Sequence, residues 1–457
     1  MGIFNYTEAF LKMVSYTVLP SGLKKKANDK KLFSLLKYAK KHSPYYADAI
    51  PDDLDFYKIK PIAKTEFVEN FDKIVTDPAV KFENVRKGIS EHHTEGAKIA
   101  GKYSVTMTSG STGNPTVIVQ DEHFQNTTSV NCFFKILKCT LPVIMLGEAG
   151  GFGTEAAMIQ HNTESSAFVR KSVHTVDVTA FSIDEIIENL KKIGPGTLIG
   201  YTGVMTIVAG KLIDRKVKIK EKRIFLSGEK CSEADKNIIR QAFDCKEIRI
   251  LYGCTEAGDI AYECKCGHLH IMSDCVKIEP VDSENRPVGY GVLSDKLLLT
   301  NLTNRIQPII RYEVTDKITL HRAKECPCGN KNDWMEIEGR ANDNIFFDIN
   351  GKEAVIPSIS LLIVMAEVNK NGLEKFRNFQ IAVNRTGKLS ITLEYFEGCD
   401  KEAVNLETEK TVREFFKLHG IEDIIFEFTE GTPKKTQRGK YKRVYMEKEE
   451  AVPVGKE

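Results

Sequence analysis

Apolar residues along this chain switch between two periods. At Leu32, Leu35, Leu36 and Tyr38 they recur at helical spacing within residues 31–48, and Ser43-Pro44 predicts the end of that helix. From about residue 103 short apolar runs alternate with amphipathic stretches. The runs 103–108, 116–119, 143–146, 197–200, 223–226 and 247–251 read as strands, and 184–193, 203–214 and 232–243 as helices. Strands separated by helices of this length imply βαβ units and a mostly parallel sheet. After residue 269 the helical spacing thins out, and 276–280, 296–301, 309–313 and 317–321 predict antiparallel strands. After Gly339 a new unit begins: helix 357–368, strands 378–384 and 388–395, helix 401–419 and strand 424–428. The expected class is α/β. Residues 1–341 form a large N-terminal domain with mostly parallel sheets, helices and a small β-rich part, and residues 342–457 a small C-terminal α+β domain.

Length agrees, since 457 residues exceed one ordinary core. Apolar residues make up 42% and charged residues 28%, the profile of a soluble globular protein. The 65 basic and 63 acidic groups leave a net charge of +2, which argues against nucleic acid or membrane as a partner of the whole chain. The longest apolar stretch, Val355 to Val368, is too short to span a bilayer and contains Pro357 and Glu367. The start, MGIFNYTEAFLKMVSY, has neither a basic leader region nor a small-residue cleavage site, so a cytoplasmic protein is expected.

Five segments carry candidate chemistry. Thr108-Ser-Gly-Ser-Thr-Gly-Asn-Pro-Thr116 lies between two predicted strands. The glycines permit tight turns, and the hydroxyls and N–H groups of Ser109, Gly110, Ser111, Thr112 and Gly113 suit phosphate oxygens. It lacks the GK[ST] ending of a Walker A loop. Leu251-Tyr-Gly-Cys-Thr-Glu-Ala-Gly258 offers a ring for a purine face and a carboxylate for Mg²⁺. Ile310-Arg-Tyr-Glu-Val-Thr-Asp316 ends in a carboxylate that can accept both ribose hydroxyls. Glu338-Gly-Arg-Ala-Asn-Asp343 falls at the domain boundary. Pro433 to Arg443 is strongly basic and contains Gly439-Lys440. No segment decides alone: the first also reads as a Ser/Gly surface loop, the second as a plain strand-to-loop turn, the third as a hydrogen-bonded strand end and the last as a solvated basic tail.

Eleven cysteines include two tight pairs, Cys264-Lys-Cys266-Gly-His268-Leu-His270 and Cys326-Pro-Cys328-Gly329. In a chain of this size without an export signal, such pairs point to metal rather than disulfides. Two loops about 60 residues apart can supply four soft ligands to tetrahedral zinc. Four reduced thiols are the plain alternative.

The order and spacing of the five segments resemble the full motif set of the adenylate-forming superfamily, which includes acyl-CoA synthetases. Within it the chain is similar to the phenylacetate–CoA ligase group and its CapK-type relatives. That likeness rests on Asn114-Pro-Thr116, on His42-Ser-Pro-Tyr-Tyr46 with Ile59-Lys-Pro-Ile-Ala-Lys64, and on the cysteine loops. The resemblance implies ATP-dependent carboxylate activation through an acyl-adenylate, then acyl transfer to a thiol, coenzyme A. Ser109 to Gly113 would hold the ATP phosphates. Ser227, Gly228 and Glu229, with Tyr252, Gly253 and Cys254, would flank the adenine. Thr255 would sit at the α-phosphate, Glu256 would bind Mg²⁺, Asp316 would hold the ribose, and Arg340 would contact nucleotide. Asn342 would be the hinge of a mobile C-terminal domain, and Lys440 its adenylation lysine. The implied zinc ligands are Cys264, His270, Cys326 and Cys328, with Cys266 as the competitor in an all-cysteine set. The expected substrate is a small aryl or short acyl acid. A carrier protein in place of coenzyme A, a silent nucleotide-binding protein, and a homodimer stay open. The segment Asn350-Gly-Lys-Glu-Ala-Val-Ile-Pro357 departs from the group's pattern, which leaves the thiol acceptor undecided.

Overall fold

The computed structural model describes residues 2–91, 98–107, 116–136, 138, 140–147, 171–178, 181–228, 231, 233–339, 344–349, 352–357, 360–361, 364–365, 368, 375–432 and 444–447. Among these, nine strands form the main sheet. Five run parallel in the order Val173–Asp177, Val143–Gly147, Thr197–Tyr201, Arg223–Ser227, Ile248–Cys254. Four antiparallel strands extend it: Gly258–Glu263, Leu269–Ile271, Trp334–Gly339 and Lys317–His321.

The helices between parallel strands form where the apolar period predicts them. Ile183–Ile193 buries Ile183, Ile186, Ile187 and Leu190, one face at steps of three and four. Each buried aliphatic side chain contributes about 1.5–3 kcal/mol relative to exposure. Ser182 and Glu185 cap its start reciprocally, and Gly194, at φ 84°, ends it. Thr202–Asp214 is buried almost all round. The sheet lies on one side of it, and helix Lys401–Leu418 touches another.

Some expectations shift. The strand expected at 309–313 is only Tyr312–Val314, because Arg311 takes a left-handed φ of 51° and breaks extension there. Lys317–His321 is antiparallel as expected, but it joins the main sheet through Trp334–Gly339. The three-stranded sheet holds Val276–Val281, Lys296–Asn301 and Tyr312–Val314. The first helices are Gly2–Val18 and Ser21–His42. Ser43 then accepts from Tyr46 N–H and caps a short helix, Pro44–Ala49.

Ser104–Met107 and Val117–Gln120 make a separate antiparallel pair. The outer edge of Val117–Gln120 is bonded by side-chain amides. Val119 N–H donates to Gln307 Oε1 at 2.7 Å, Asn304 Nδ2 donates to Val119 O at 2.8 Å, and Gln307 Nε2 donates to Val117 O at 3.3 Å.

The C-terminal four-stranded sheet runs Ile425–Glu430, Lys388–Tyr395, Phe376–Val383, Val444–Met446. Leu389, Ile391 and Leu393 alternate inward, and Val404, Val412, Phe415 and Phe416 of helix Lys401–Leu418 share their core with Ile345 and Phe347. The end of this helix meets the N-terminal part closely. A Cβ at Gly210 would lie 2.5 Å from Leu418 Cδ1, and His419 Nε2 lies 3.2 Å from Asp235 Oδ1. Among the described residues no helix is long and apolar enough to cross a membrane.

Glu221, 3% exposed, precedes the strand Arg223–Ser227 and accepts from Gly196 N–H at 2.8 Å. Burial pushes its pKa up to about 7. The folded state therefore holds this proton where the unfolded chain has lost it, so the favourable contribution is present below about pH 4.5 and is lost as pH rises through about 7. Glu221→Gln keeps the acceptor without the charge. Thermal melts should show it stabilising at pH 8 and near neutral at pH 5; equal shifts at both would refute the ionisation argument.

Candidate active site and cysteine–histidine cluster

The parallel strands determine where a ligand fits. The chain leaves the carboxyl end of Val143–Gly147 for Val173–Asp177 on one side. It leaves the neighbouring strand Thr197–Tyr201 for Arg223–Ser227 on the other. Outgoing connections that part in this way open a crevice between the two strand ends. A small apolar cavity occupies it, lined by Met145, Leu146, Gly147, Ile199, Gly200, Tyr201 and Ser227.

Gly228 follows Ser227 with φ 77°, and a Cβ there would lie 2.5 Å from Cδ1 of the Tyr201 ring. Only glycine fits both the backbone angle and the ring. The neighbouring strand Ile248–Cys254 continues past its parallel partner Arg223–Ser227 and folds back at Thr255–Ala257 into Gly258–Glu263. Gly253 is required by that fold-back, since its Cβ would meet Gly258 O at 2.5 Å.

Two separate sequence motifs meet at this end. The Tyr252 hydroxyl donates to Asp316 Oδ2 at 2.5 Å, and Asp316 is 4% exposed. Glu256 is buried in the turn, where Asn301 Nδ2 donates to its main-chain oxygen at 3.0 Å. The Tyr312 hydroxyl lies near the side chains of Thr116 and Glu256. Burial first, then the Glu256 carboxylate, push its pKa far above the usual phenol value. The hydroxyl therefore stays protonated. Tyr312 thus brings the third motif next to the end of the first and the carboxylate of the second. Sequence reading gave Tyr312 and Thr116 no role, although both stand within quoted motifs.

Arg311 is a third residue missed. It is 6% exposed, pairs with Glu279 at 3.3 Å, and donates to Ile59 O at 2.5 Å and Tyr57 O at 3.2 Å. Main-chain bonds between Ile62 and the 311–313 segment complete the junction. This gives the early segment Ile59 to Lys64 a physical purpose: it is the partner of the segment leading to Asp316.

Ser227, Gly228, Tyr252, Gly253, Cys254, Thr255, Glu256 and Asp316 thus lie along one end of the sheet or in the turns beside it. Ser109, Gly110, Ser111, Thr112, Gly113, Glu229, Arg340, Asn342 and Lys440 lie outside the described residues.

The cysteine loops converge elsewhere on the sheet. One ligand atom each from Cys264, His270, Cys326 and Cys328 lies within 4.8 Å of the other three. Cys264 Sγ is 3.7 Å from Cys326 Sγ, and Cys328 Sγ is 3.2 Å from His270 Nε2. His270 Nδ1 faces Asn332 O at 2.8 Å, which assigns the proton to Nδ1 and leaves Nε2 as a lone-pair donor. Cys266 and Asn330 N–H groups donate to Cys264 and Cys328 sulfurs at 3.3 Å. Burial opposes the Cys264 thiolate, but main-chain donors from Cys266 and His268 bring its pKa below the usual thiol value. Beside the group, Trp334 stacks between His268 and His321 at 3.8 and 3.9 Å. Three soft sulfurs and one imidazole nitrogen suit a tetrahedral metal such as zinc. The Cys266 sulfur is not part of this group.

No protein-family profile matches the chain. Protein CapK of Staphylococcus aureus is 22% identical over 415 residues, covering 87% of this chain and 83% of CapK. A crystal structure of 2-hydroxyisobutyryl-CoA ligase with 2-HIB-AMP and CoA in the thioesterification state superposes with a TM-score of 0.58. It is 17% identical, covering 95% of this chain and 92% of the ligase. An open conformation of that ligase gives 0.55 at 16% identity, over 94% of this chain and 93% of the ligase. Over nearly its whole length, the chain has the fold of the adenylate-forming acyl-CoA ligases.

Proposed function

We propose that the chain activates a carboxylic acid with ATP and transfers the acyl group from the resulting acyl-adenylate to coenzyme A. The observation that carries this reading is the bond between Tyr252 and Asp316, which joins two separate motifs at the carboxyl end of the parallel strands. The fold likeness to a ligase crystallised with an acyl-adenylate and CoA supports it.

In this reading Asp316, fixed by Tyr252, accepts the ribose hydroxyls. Ser227, Gly228 and Glu229, with Tyr252, Gly253 and Cys254, border the adenine. Ser109 to Gly113, on the loop joining strands Ser104–Met107 and Val117–Gln120, hold the phosphates. Thr255 binds the α-phosphate, and Arg340 contacts the nucleotide. Glu256, buried near Tyr312, is a carboxylate fit to hold Mg²⁺, which would neutralise phosphate charge. The substrate carboxylate oxygen attacks the α-phosphorus, the bond to the β-phosphate bridge breaks, and pyrophosphate leaves. Lys440 stabilises the charge on the transferring oxygens. Residues 342–457 then turn as a domain about Asn342, parting Leu418 from Gly210, and the thiol sulfur attacks the acyl carbon to release AMP. An aryl or short acyl acid is the proposed substrate, because the glycine-rich run Leu146-Gly-Glu-Ala-Gly-Gly-Phe-Gly153 permits close approach of a flat or small acid.

Labelled pyrophosphate should exchange into ATP only when a fitting acid is present, without coenzyme A. Lys440→Ala should slow that exchange by about 10²–10³-fold while sparing thioester formation from supplied acyl-adenylate. Parent-like exchange in the variant would remove Lys440 from the first step. Exchange without thioester formation would point to a carrier protein or another acceptor. Nucleotide binding without any exchange would point to a silent site.

Cys264, His270, Cys326 and Cys328 are assigned to one zinc ion with no open position, hence a structural one. Mass spectrometry of the native chain should find one zinc per chain. Cys326→Ser should lose it and lower the melting temperature, while Cys266→Ser should keep it. Loss in Cys266→Ser with retention in His270→Ala would instead establish the all-cysteine set.

A further inference from the structure

The near-zero net charge averages over an uneven distribution. Helix Ser21–His42 carries eight lysines and one aspartate in 22 residues, so the other 435 residues hold 57 basic against 62 acidic groups. Its inner side is set by Leu35, Leu36 and Ala39, all buried. On the outer side Leu23, Lys26, Lys30, Phe33, Lys37 and Lys41 follow one another at steps of three or four, which puts them on one face. All six are exposed, Leu23 at 49% and Phe33 at 54%.

Lys24 is buried over the Tyr16 ring, and six of the other lysines fall into two sets. Lys31 donates to Asp274 O, and Lys40 pairs with Asp52 at 3.0 Å. Lys26, Lys30, Lys37 and Lys41 have no carboxylate partner among the described residues. The lysine row from 26 to 41 extends about 22 Å at the helical rise. The preceding helix, Gly2–Val18, turns Ala9, Met13 and Tyr16 inward and exposes Leu11, Val14 and Val18, again at steps of three and four.

We propose that the helix Ser21–His42 docks on an anionic lipid bilayer. Lys26, Lys30, Lys37 and Lys41 meet the phosphate headgroups, and Leu23 and Phe33 enter the boundary with the acyl chains. Charge complementarity selects this occupant. A bilayer presents a continuous anionic plane with an apolar layer directly beneath it, which matches a long unpaired lysine row interrupted by an aromatic and a leucine. Lysine stems reach past the apolar side chains to the headgroup level. An acidic protein would answer the lysines but leaves the exposed ring and leucine unexplained. Attachment is peripheral, since no described helix spans a membrane. The inference is independent of the ligase reading.

The test is co-sedimentation of the full chain with phosphatidylcholine vesicles, with and without phosphatidylglycerol. Binding is expected only with the anionic lipid, falling steeply as salt is raised. Replacing Lys26, Lys30, Lys37 and Lys41 together by Gln should abolish it. Leu23→Ser with Phe33→Ser should weaken it about tenfold and leave its salt dependence. All six positions are exposed, so melting curves should match the parent and exclude misfolding as the cause. Equal sedimentation with and without phosphatidylglycerol would overturn the proposal. So would parent-like binding by the glutamine variant, or binding to an acidic protein with none to vesicles.

Discussion

A single buried guanidinium organises the end of the sheet where the candidate active site lies. Arg311 sits in a left-handed backbone conformation, which costs free energy for any residue with a Cβ. It holds there because Glu279 neutralises its charge and the carbonyls of Tyr57 and Ile59 take its N–H groups. Burial raises the Glu279 pKa, and only the proximity of Arg311, with help from Lys277, opposes it. Removing one member of such a pair leaves the other charged and dry, at about 3–5 kcal/mol. The consequence is positional. Tyr312 comes next in the chain and reaches Glu256 and Thr116, and Asp316 follows four residues later to meet Tyr252. The N-terminal segment, the antiparallel sheet and the parallel sheet thus register on one cation.

Much of this was legible in the residues. Where one face is apolar at a fixed period, as in Ile183–Ile193 or Lys388–Tyr395, burial alone decides the element, and sequence and structure agree closely. The convergence of the two cysteine loops was legible too, because soft ligands at short spacing have few other uses. What was not legible depends on tertiary partners. The shortened strand at Tyr312 follows from Arg311, whose conformation is set by Glu279 and the 57–59 carbonyls far away in the chain. Strands Gly258–Glu263, Leu269–Ile271 and Trp334–Gly339 lack a clean alternation, because the cluster and the fold-back at Gly253, rather than a simple core face, govern them.

Charge shows the same contrast. The count of basic and acidic groups is nearly even and predicts little about partners. The helix Ser21–His42 shows why the sum misleads: four of its lysines line one outer face, and that face can be recognised only once the inner side is known from Leu35, Leu36 and Ala39.

The pair Ser104–Met107 and Val117–Gln120 has a consequence of another kind. A two-stranded ribbon is nearly all edge, and an unbonded edge is a template for a strand from a neighbouring molecule. Asn304 and Gln307 take up the main-chain groups of Val117 and Val119 that such a strand would need. The amides that seat this ribbon in its own chain therefore also act as a guard against intermolecular β-aggregation.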